Sequence, residues 1–322
     1  MKKILRYIAI LFSVLLVLLL GLVGYLVFFL PDTPPLEDIK VEVTPERVER
    51  GKYLANHVML CVDCHSKRDW GKFSAPLVGG TEGEGGEVFN QKMGFPGTFY
   101  ATNITPSGIG NWSDAEIFRA ITSGISKDGR ALFPLMPYKN FGQLEREDIY
   151  DIIAYLRTLE SKDGSYPEPD FDFPMNLIIN TLPTKPDFRL KKNENRNEYF
   201  TVAAGCFDCH TKQESGEFTG APFAGGMEFK QEDGSIIRSV NITFDKETGI
   251  GNWTKKDFID RFKHFEPDAS KNIKVNHGEL QTIMPWTMYA GMTDEDLGAI
   301  YDYLKTIPAV RNKVEPFTSA SD

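Results

Sequence analysis

Cysteine is scarce in this sequence, with four residues among 322. All four lie in two short motifs, Cys61-Val62-Asp63-Cys64-His65 and Cys206-Phe207-Asp208-Cys209-His210. No thiol is therefore left for a structural disulfide or a catalytic nucleophile. Positive charge is also in deficit, because 36 Lys and Arg stand against 45 Asp and Glu, for a net charge of −9. So acidic a chain is not expected to bind nucleic acid.

One long apolar run, residues 7–30, stands at the N-terminus. As a helix it would be about 36 Å long, enough to cross a bilayer. Cations cluster in residues 2–6 and none follows until Lys40, so the positive-inside rule places the rest of the chain on the periplasmic side of the inner membrane. The competing interpretation is a cleaved signal peptide, but Phe28-Phe29-Leu30-Pro31 lacks a small-residue cleavage site. We predict an uncleaved single-pass anchor.

The cysteine motifs have the form C-x-x-C-H, which attaches haem c. Cysteines three apart share one face of a helical turn and can add to the two haem vinyl groups as thioethers, while the adjacent histidine becomes the proximal iron ligand. The alternative is a four-thiolate zinc site, which leaves both histidines unexplained and requires thiolates from separate halves to meet. We predict two covalently bound haem c groups. The predicted cofactor-binding residues are Cys61, Cys64, His65, Cys206, Cys209 and His210.

The chain is an internal duplication. The matched segments are 74–80 with 220–226, 103–105 with 241–243, and 108–112 with 249–253. Two copies at this spacing indicate two tandem domains rather than a solenoid. The second copy carries an insertion, Pro267 to Gln281, which we predict to be a polar surface loop.

Two methionines are candidates for the distal iron ligands. Met136 and Met284 are each followed by proline and an aromatic residue, and they lie 71 and 74 residues after their motif histidines (136 − 65 and 284 − 210). A thioether suits ferrous iron and raises its potential. A single methionine is more often core filler, but the repetition favours ligation. The predicted metal ligands are His65, Met136, His210 and Met284.

Other side chains are weaker candidates for the iron. They are Met288 and Met292, which lie close to Met284, then Met93, Met227, His57, His264 and His277. Trp112 and Trp253 either donate an indole N–H to a haem propionate, with Asn103 and Asn241 nearby, or are core residues satisfied by backbone. The Asn-Ile-Thr segments also match the N-glycosylation sequon, which is too short and common to carry weight.

Several motifs in order around C-x-x-C-H carry a family resemblance. The run 100–106, the Gly-Ile-Gly-Asn-Trp-Ser segment, Asp128-Gly129-Arg130 and Leu135-Met136-Pro137-Tyr138 resemble the multihaem cytochrome c subunit of membrane-bound gluconate, alcohol and aldehyde dehydrogenases. The likeness covers nearly all of 45–160 and, more loosely, 195–310. That family usually carries three haem domains, whereas this sequence has two, and here the anchor is N-terminal.

The resemblance implies an all-α fold, with two tandem class I cytochrome c domains after an N-terminal transmembrane helix. It also implies that the carbonyls of Pro76 and Pro222 accept the N–H of the proximal histidines. The predicted organisation is an anchor at 1–31, a linker at 32–44, a first domain at 45–160, an interdomain linker at 161–193, a second domain at 194–310 and a polar tail at 311–322.

Local signals predict three helix boundaries. Thr44 is expected to cap a helix that begins at Pro45, and Ser113 with Glu116 forms a predicted capping box. The last helix of the first domain is expected over 145–159.

The predicted function is electron transfer without catalysis. The haems would carry single electrons from an exported dehydrogenase or quinol-linked donor to a terminal oxidase or another carrier, so the expected partners are redox proteins, including a dehydrogenase subunit, and the membrane. The alternative is a dihaem peroxidase-like enzyme with a displaceable sixth ligand. A third class, a haem sensor or structural subunit, would respond to ligands without turnover.

Overall fold

The computed structural model describes residues 2–33, 35–276 and 278–320. The N-terminal region and the first half (45–160) contain helices α1 (Lys2–Phe28), α2 (Pro45–Tyr53), α3 (Cys61–Cys64), α4 (Pro106–Ile109), α5 (Asp114–Ser123), α6 (Tyr138–Phe141) and α7 (Arg146–Thr158). The linker and the second half (194–310) contain α8 (Met175–Ile178), α9 (Lys192–Ala203), α10 (Cys206–His210), α11 (Lys255–Lys263), α12 (Trp286–Tyr289) and α13 (Asp294–Leu304). A π-helical turn, Leu54–Val58, continues α2, and 3-10 turns lie at Gln91–Met93, Ile179–Thr181 and Asp268–Asn272.

Short antiparallel strands join the helices. They are β1 (Val88–Phe89), β2 (Gly97–Tyr100), β3 (Asp170–Phe171), β4 (Gln213–Glu214), β5 (Glu217–Phe218), β6 (Glu228–Lys230), β7 (Ile236–Arg238) and β8 (Phe317–Thr318), in sheets ordered β1-β2-β3, β4-β5 and β6-β7-β8. The core is helical as expected, but the all-α description is not confirmed. The linker supplies β3 and the predicted polar tail supplies β8, and the backbone hydrogen bonds of these strands hold both segments against the halves.

The predicted helix caps are confirmed. The Thr44 hydroxyl accepts from Arg47 N at 3.3 Å, and α5 begins with a complete capping box between Ser113 and Glu116. In the second half, α11 begins with the same box, made by Thr254 and Asp257. Each such cap stabilises its helix by about 1 kcal/mol. The duplication therefore extends to the hydrogen bonds that begin the helices.

Each half is built on a crossing of its first and last helices. In the first half α2 packs on α7 at Gly51, where an added Cβ would lie 1.9 Å from Asp151 O. The apolar face of α7 includes Ile149, Ile152, Ile153 and Leu156, which repeat at helical spacing and are each at most 4% exposed. In the second half α9 packs on α13. The apolar residues of both halves form one continuous buried cluster.

The two halves are joined by a reciprocal pair of buried carboxylates. Asp148 on α7 is fully buried and accepts from Tyr199 Oη of the second half at 2.6 Å. Asp296, its counterpart on α13, is 2% exposed and accepts from Tyr53 Oη of the first half at 2.5 Å. Each carboxylate is also paired with an arginine of its own half, Arg50 or Arg196. Because each half supplies a tyrosine for the other, the halves pack with approximate two-fold symmetry.

No residue of helix α1 is buried. Its most apolar window has a mean hydropathy of 2.9, and within the described residues it is the one helix long and apolar enough to cross a membrane. Length and composition make it a candidate anchor or signal sequence. Its C-terminal end contacts the linker, where Asn180 Nδ2 donates to Leu26 O at 3.0 Å.

Candidate functional site

Each cysteine motif forms a single helical turn with an abrupt start. The turn α3 follows Leu60, whose φ is 54°, and α10 follows Gly205, whose φ is 64°. A left-handed residue ends the preceding helix and lets the next turn begin in a new direction. In both motifs the first thiol is half-buried and the second is exposed. The spacing places the two thiols of each motif on one side of the turn.

The thiols are not arranged as a metal site. Across residues 2–33, 35–276 and 278–320, no three His, Cys, Asp or Glu side chains converge as metal ligands. The four-thiolate alternative therefore lacks geometric support.

A backbone carbonyl orients each motif histidine. His65 Nδ1 lies 2.6 Å from Thr102 O. His210 Nδ1 lies 2.7 Å from Val240 O. Because a carbonyl only accepts, Nδ1 carries the hydrogen and Nε2 keeps its lone pair. Burial lowers the pKa of both imidazoles, and this effect outweighs the hydrogen bond to the carbonyl, which raises the pKa. Each ring is therefore neutral at pH 7 and can bind a metal through Nε2.

The expected proline acceptors are wrong. Neither Pro76 nor Pro222 receives the histidine N–H, and Pro76 O instead accepts from Asp69 N at 2.9 Å within its own loop. The acceptors lie further along the chain, 37 residues after His65 and 30 after His210.

In each half a pair of glycines lets the segment that carries the acceptor carbonyl lie close to the motif histidine. Gly85 N donates to His65 O at 2.9 Å, and Gly225 N donates to His210 O at 2.8 Å. Both glycines have positive φ, and an added Cβ would lie within 2.6 Å of the backbone of the acceptor strand. Gly225 therefore corresponds to Gly85. The sequence match to Gly79-Gly80 was wrong by six residues, because the first half has a longer loop before the pair.

The repeated Asn-Ile-Thr segments form a turn directly after these acceptors. Asn103 Oδ1 accepts from Thr105 N at 2.8 Å and from Thr105 Oγ1 at 2.7 Å. Asn241 Oδ1 accepts from Thr243 N at 2.9 Å and from Thr243 Oγ1 at 2.8 Å. Both asparagines are buried, and their amide oxygens are used inside the turn. They position the preceding carbonyl, a role that sequence reasoning missed although the matched repeat was its signal.

Met136 and Met284 lie in matching turns. Each begins a Met-Pro-aromatic segment that leads into a one-turn helix, and its carbonyl accepts from the N–H two residues later at 2.8 Å. Both side chains are half-buried at the edge of the core. Met292, by contrast, is fully buried and Met288 is 7% exposed, so these two serve as core residues. Met93 and Met227 are half-buried outside the core cluster.

The remaining histidines have other environments. His57 Nδ1 contacts Met288 O across the junction between the halves at 2.8 Å, and burial lowers the pKa of this ring. His264 is exposed. His277 lies outside the described residues.

A buried phenol two residues after Met136 has no protein partner. In the part of the chain that the structure describes, the Tyr138 hydroxyl is buried and makes no hydrogen bond. Burial raises the pKa of Tyr138 to about 12. The indole N–H groups of Trp112 and Trp253 make no hydrogen bond within the described residues either, but Trp112 is half-buried and Trp253 is exposed, so water can satisfy them. A buried polar group is normally satisfied, so the Tyr138 hydroxyl, with the free Nε2 atoms and thioethers, fits a cofactor that offers both a metal and a hydrogen-bond acceptor.

The two motifs are neighbours. Burial first, and then ionisable groups of both motifs, raise the pKa of Tyr289, so its phenol lies near both motifs. Asn140, four residues after Met136, donates to Asp208 inside the second motif. Each half therefore places a residue of its methionine segment beside the motif of the other half.

Known proteins with similar sequences are cytochrome c subunits. The chain is 29% identical to the fructose dehydrogenase cytochrome subunit of Gluconobacter japonicus over 85% of its length and 55% of that protein. It is 28% identical to the cytochrome c subunit of a quinone-dependent alcohol dehydrogenase of Gluconobacter oxydans, over 82% of this chain and 55% of that protein. A diheme cytochrome c-type protein of Cereibacter sphaeroides is 29% identical over 78% of this chain and 82% of its own length.

These likenesses confirm the resemblance expected from the motifs. The chain spans about half the length of the dehydrogenase subunits it matches. No family model matches it.

Proposed function

We propose that this protein is a membrane-anchored dihaem c-type cytochrome that transfers single electrons and catalyses no reaction itself. The residues that would bind haem covalently are Cys61, Cys64, Cys206 and Cys209, and the axial ligands would be His65 with Met136 and His210 with Met284. When bound, haem supplies a one-electron iron couple. The chain orients the ligands, limits access of water and sets the docking surface.

The observation that carries the proposal is the matched histidine geometry. In two separate places a C-x-x-C-H turn holds its imidazole by Nδ1 against a backbone carbonyl. Such a contact fixes the tautomer and the ring plane of a metal ligand. A methionine in a matching turn stands in each half. Each half therefore has two cysteines, a histidine and a methionine in the same local structure, and this repetition is not expected by chance.

A dehydrogenase is the proposed electron donor, with an oxidase or another carrier as acceptor. The support is the similarity to subunits named for fructose and alcohol dehydrogenases. The net charge of −9 favours a partner with a basic patch.

The anchor is proposed to remain attached after export. The linker contacts the end of α1 through Asn180, and an apolar surface adjoins this contact. Phe28, Phe29 and Phe173 are 82%, 71% and 79% exposed, a pattern that suits the boundary between lipid and water.

The test is to purify the full-length protein from a host equipped for cytochrome maturation. We expect two covalent haems per chain and methionine–iron charge-transfer absorption from both. Met136→Ala should remove that absorption from one haem and lower its potential, because a thioether raises the potential. Met93→Ala, also half-buried, is the matched control and should change neither haem. A haem count other than two, or rapid reaction with peroxide at an open iron, would contradict the proposal.

A further inference from the structure

Each half has an extra segment that the other lacks, and these two segments meet. Between the motif histidine and its glycine there are 20 residue steps in the first half (85 − 65) and 15 in the second (225 − 210). The longer loop of the first half contains residues 70–75. In the second half the insertion is 267–281, which was expected to be a polar surface loop.

Most of the described residues of the insertion are exposed, as expected, and backbone hydrogen bonds also hold it against the longer loop. Phe73 N donates to Ile273 O at 2.8 Å, and Val275 N donates to Gly71 O at 3.0 Å. The rings of Phe73 and Phe265 stack with centroids 5.9 Å apart. We call residues 70–75, 273–276 and 278–281 the brace.

Gln281 fastens the brace at the end nearest Met284. Its Nε2 donates to Trp70 O at 3.0 Å and to Lys72 O at 2.8 Å. Its Oε1 accepts from Ser74 N at 2.9 Å. Both ends of one amide therefore bind the backbone of the other half, three residues before Met284.

Ser74 then reaches the methionine segment itself. Its hydroxyl donates to Met284 O at 2.6 Å and accepts from Trp286 N at 3.0 Å. The residue is 1% exposed and its φ is 65°. A buried serine in the left-handed region is strained and persists only where its surroundings fix it.

The Met136 segment has no contact equivalent to the one that Ser74 makes with the Met284 segment. Across the described residues, the backbone of 136–138 makes hydrogen bonds only to the backbone of its own half. Within the described residues, no side chain of the second half hydrogen bonds to that backbone. The brace thus acts on one methionine segment of the two.

We propose that Ser74 is a positioning residue for Met284, acting from the opposite half of the molecule. The inference rests on the proposed role of Met284 as an iron ligand. Because Ser74 fixes the backbone on both sides of Pro285, it limits how far the Met284 thioether can move away from the iron. Its loss should ease replacement of Met284 by an added ligand, while the first haem stays unchanged.

The experiment is an imidazole titration of the full-length dihaem protein, followed by its visible spectrum and a redox titration. Met284→Ala identifies the signals of the second haem. Ser74→Gly removes the hydroxyl and suits the positive φ, so it should fold. We expect imidazole to bind the second haem about tenfold more tightly, the factor that two ordinary hydrogen bonds supply, and the potential of that haem alone to shift. Ser74→Ala should act in the same direction.

Thr81→Ala is the matched control. Its hydroxyl also donates to one carbonyl, Val78 O at 2.7 Å, and accepts from one backbone N–H, Lys67 N at 3.2 Å, in the same loop. It should leave the second haem unchanged. Equal imidazole affinity in Ser74→Gly and in the parent protein, or equal changes at both haems, would overturn the inference. If Met284→Ala itself leaves the spectrum unchanged, the proposed ligand is the part that fails.

Discussion

Asn103 and Asn241 use the oxygen of the side-chain amide within the turn and the nitrogen outside it. Besides the threonine contacts, Asn103 Nδ2 donates to Lys162 O at 2.7 Å and Asn241 Nδ2 donates to Val310 O at 2.7 Å. Each asparagine therefore ties the carbonyl that orients a histidine to the chain following the last helix of its half. A short side chain far from the motif in sequence holds the ligand geometry.

Asn103→Ala should destabilise the protein and disturb the first haem. The substitution leaves the buried Thr105 N–H and hydroxyl without their acceptor, at a cost of about 1–3 kcal/mol. The Thr102 carbonyl should also lose its fixed position, so the potential of the first haem should change while that of the second does not. Urea unfolding and a redox titration measure the two effects.

Asn252→Ala is the control for this change. That side chain is exposed and donates one hydrogen bond, to Lys246 O at 2.8 Å. Its loss should cost less than about 0.5 kcal/mol. Equal destabilisation by the two variants would show that the buried turn has no special role.

At the scale of elements, hydrogen bonds from α9 to Asp148 of α7 and from α2 to Asp296 of α13 link the halves. Asp148 and Asp296 both stand in the first turn of their helices, where a carboxylate interacts favourably with the helix dipole. Burial raises the pKa of Tyr53 to about 12, so its hydroxyl remains a donor at neutral pH. Burial and the charge of Asp148 also raise the pKa of Tyr199.

Tyr199→Phe should lower the free energy of unfolding by about 1.5–3 kcal/mol, the usual range for a hydrogen bond to a charged group. Asp148 keeps Lys192, 2.6 Å away, so the charge is not left unpaired. Tyr53→Phe should have a similar effect at Asp296. Denaturant titration gives both values.

Tyr155→Phe serves as the comparison. Its hydroxyl accepts from Asn56 within the first half at 3.1 Å and is not bonded to a carboxylate. The substitution should be nearly neutral. If Tyr155→Phe lowers the free energy of unfolding as much as Tyr199→Phe does, the stabilisation by Tyr199 does not come from its contact between the halves.

At the scale of the whole molecule, the two halves share one buried apolar cluster and the reciprocal tyrosine–carboxylate contacts. Neither half can unfold without exposing the face packed on the other, so unfolding should be cooperative. We expect the absorbance of both haems and the far-UV dichroism to change in a single coincident denaturant transition. Two separate transitions would show that the halves are independent.

The fate of α1 is also a property of the whole chain. If the anchor is retained, intact mass spectrometry of the mature protein will include residues 1–30, and the protein will stay in the membrane fraction after a high-salt wash. Recovery of a soluble protein that begins near Pro31 would instead identify α1 as a signal sequence.

Local chemistry determined much of this protein. The spacing of the cysteines and histidine, the helix caps at Thr44 and Ser113, and the apolar face of α7 depend on residues a few positions apart, which share a helical turn whatever the rest of the chain does. The duplication could likewise be found from the repeated segments.

Tertiary structure decided what distant segments do. The acceptors for His65 and His210, the true glycine counterparts and the brace at Ser74 depend on loops of unequal length folding back on the motifs, and sequence matching aligned those loops by composition alone. The same holds for the contact between the halves, since nothing local to Tyr53 indicates that its partner is Asp296, 243 residues away. Where a contact is made between neighbours in sequence, the pattern sufficed; where packing brings remote backbone together, only the folded chain shows which groups meet.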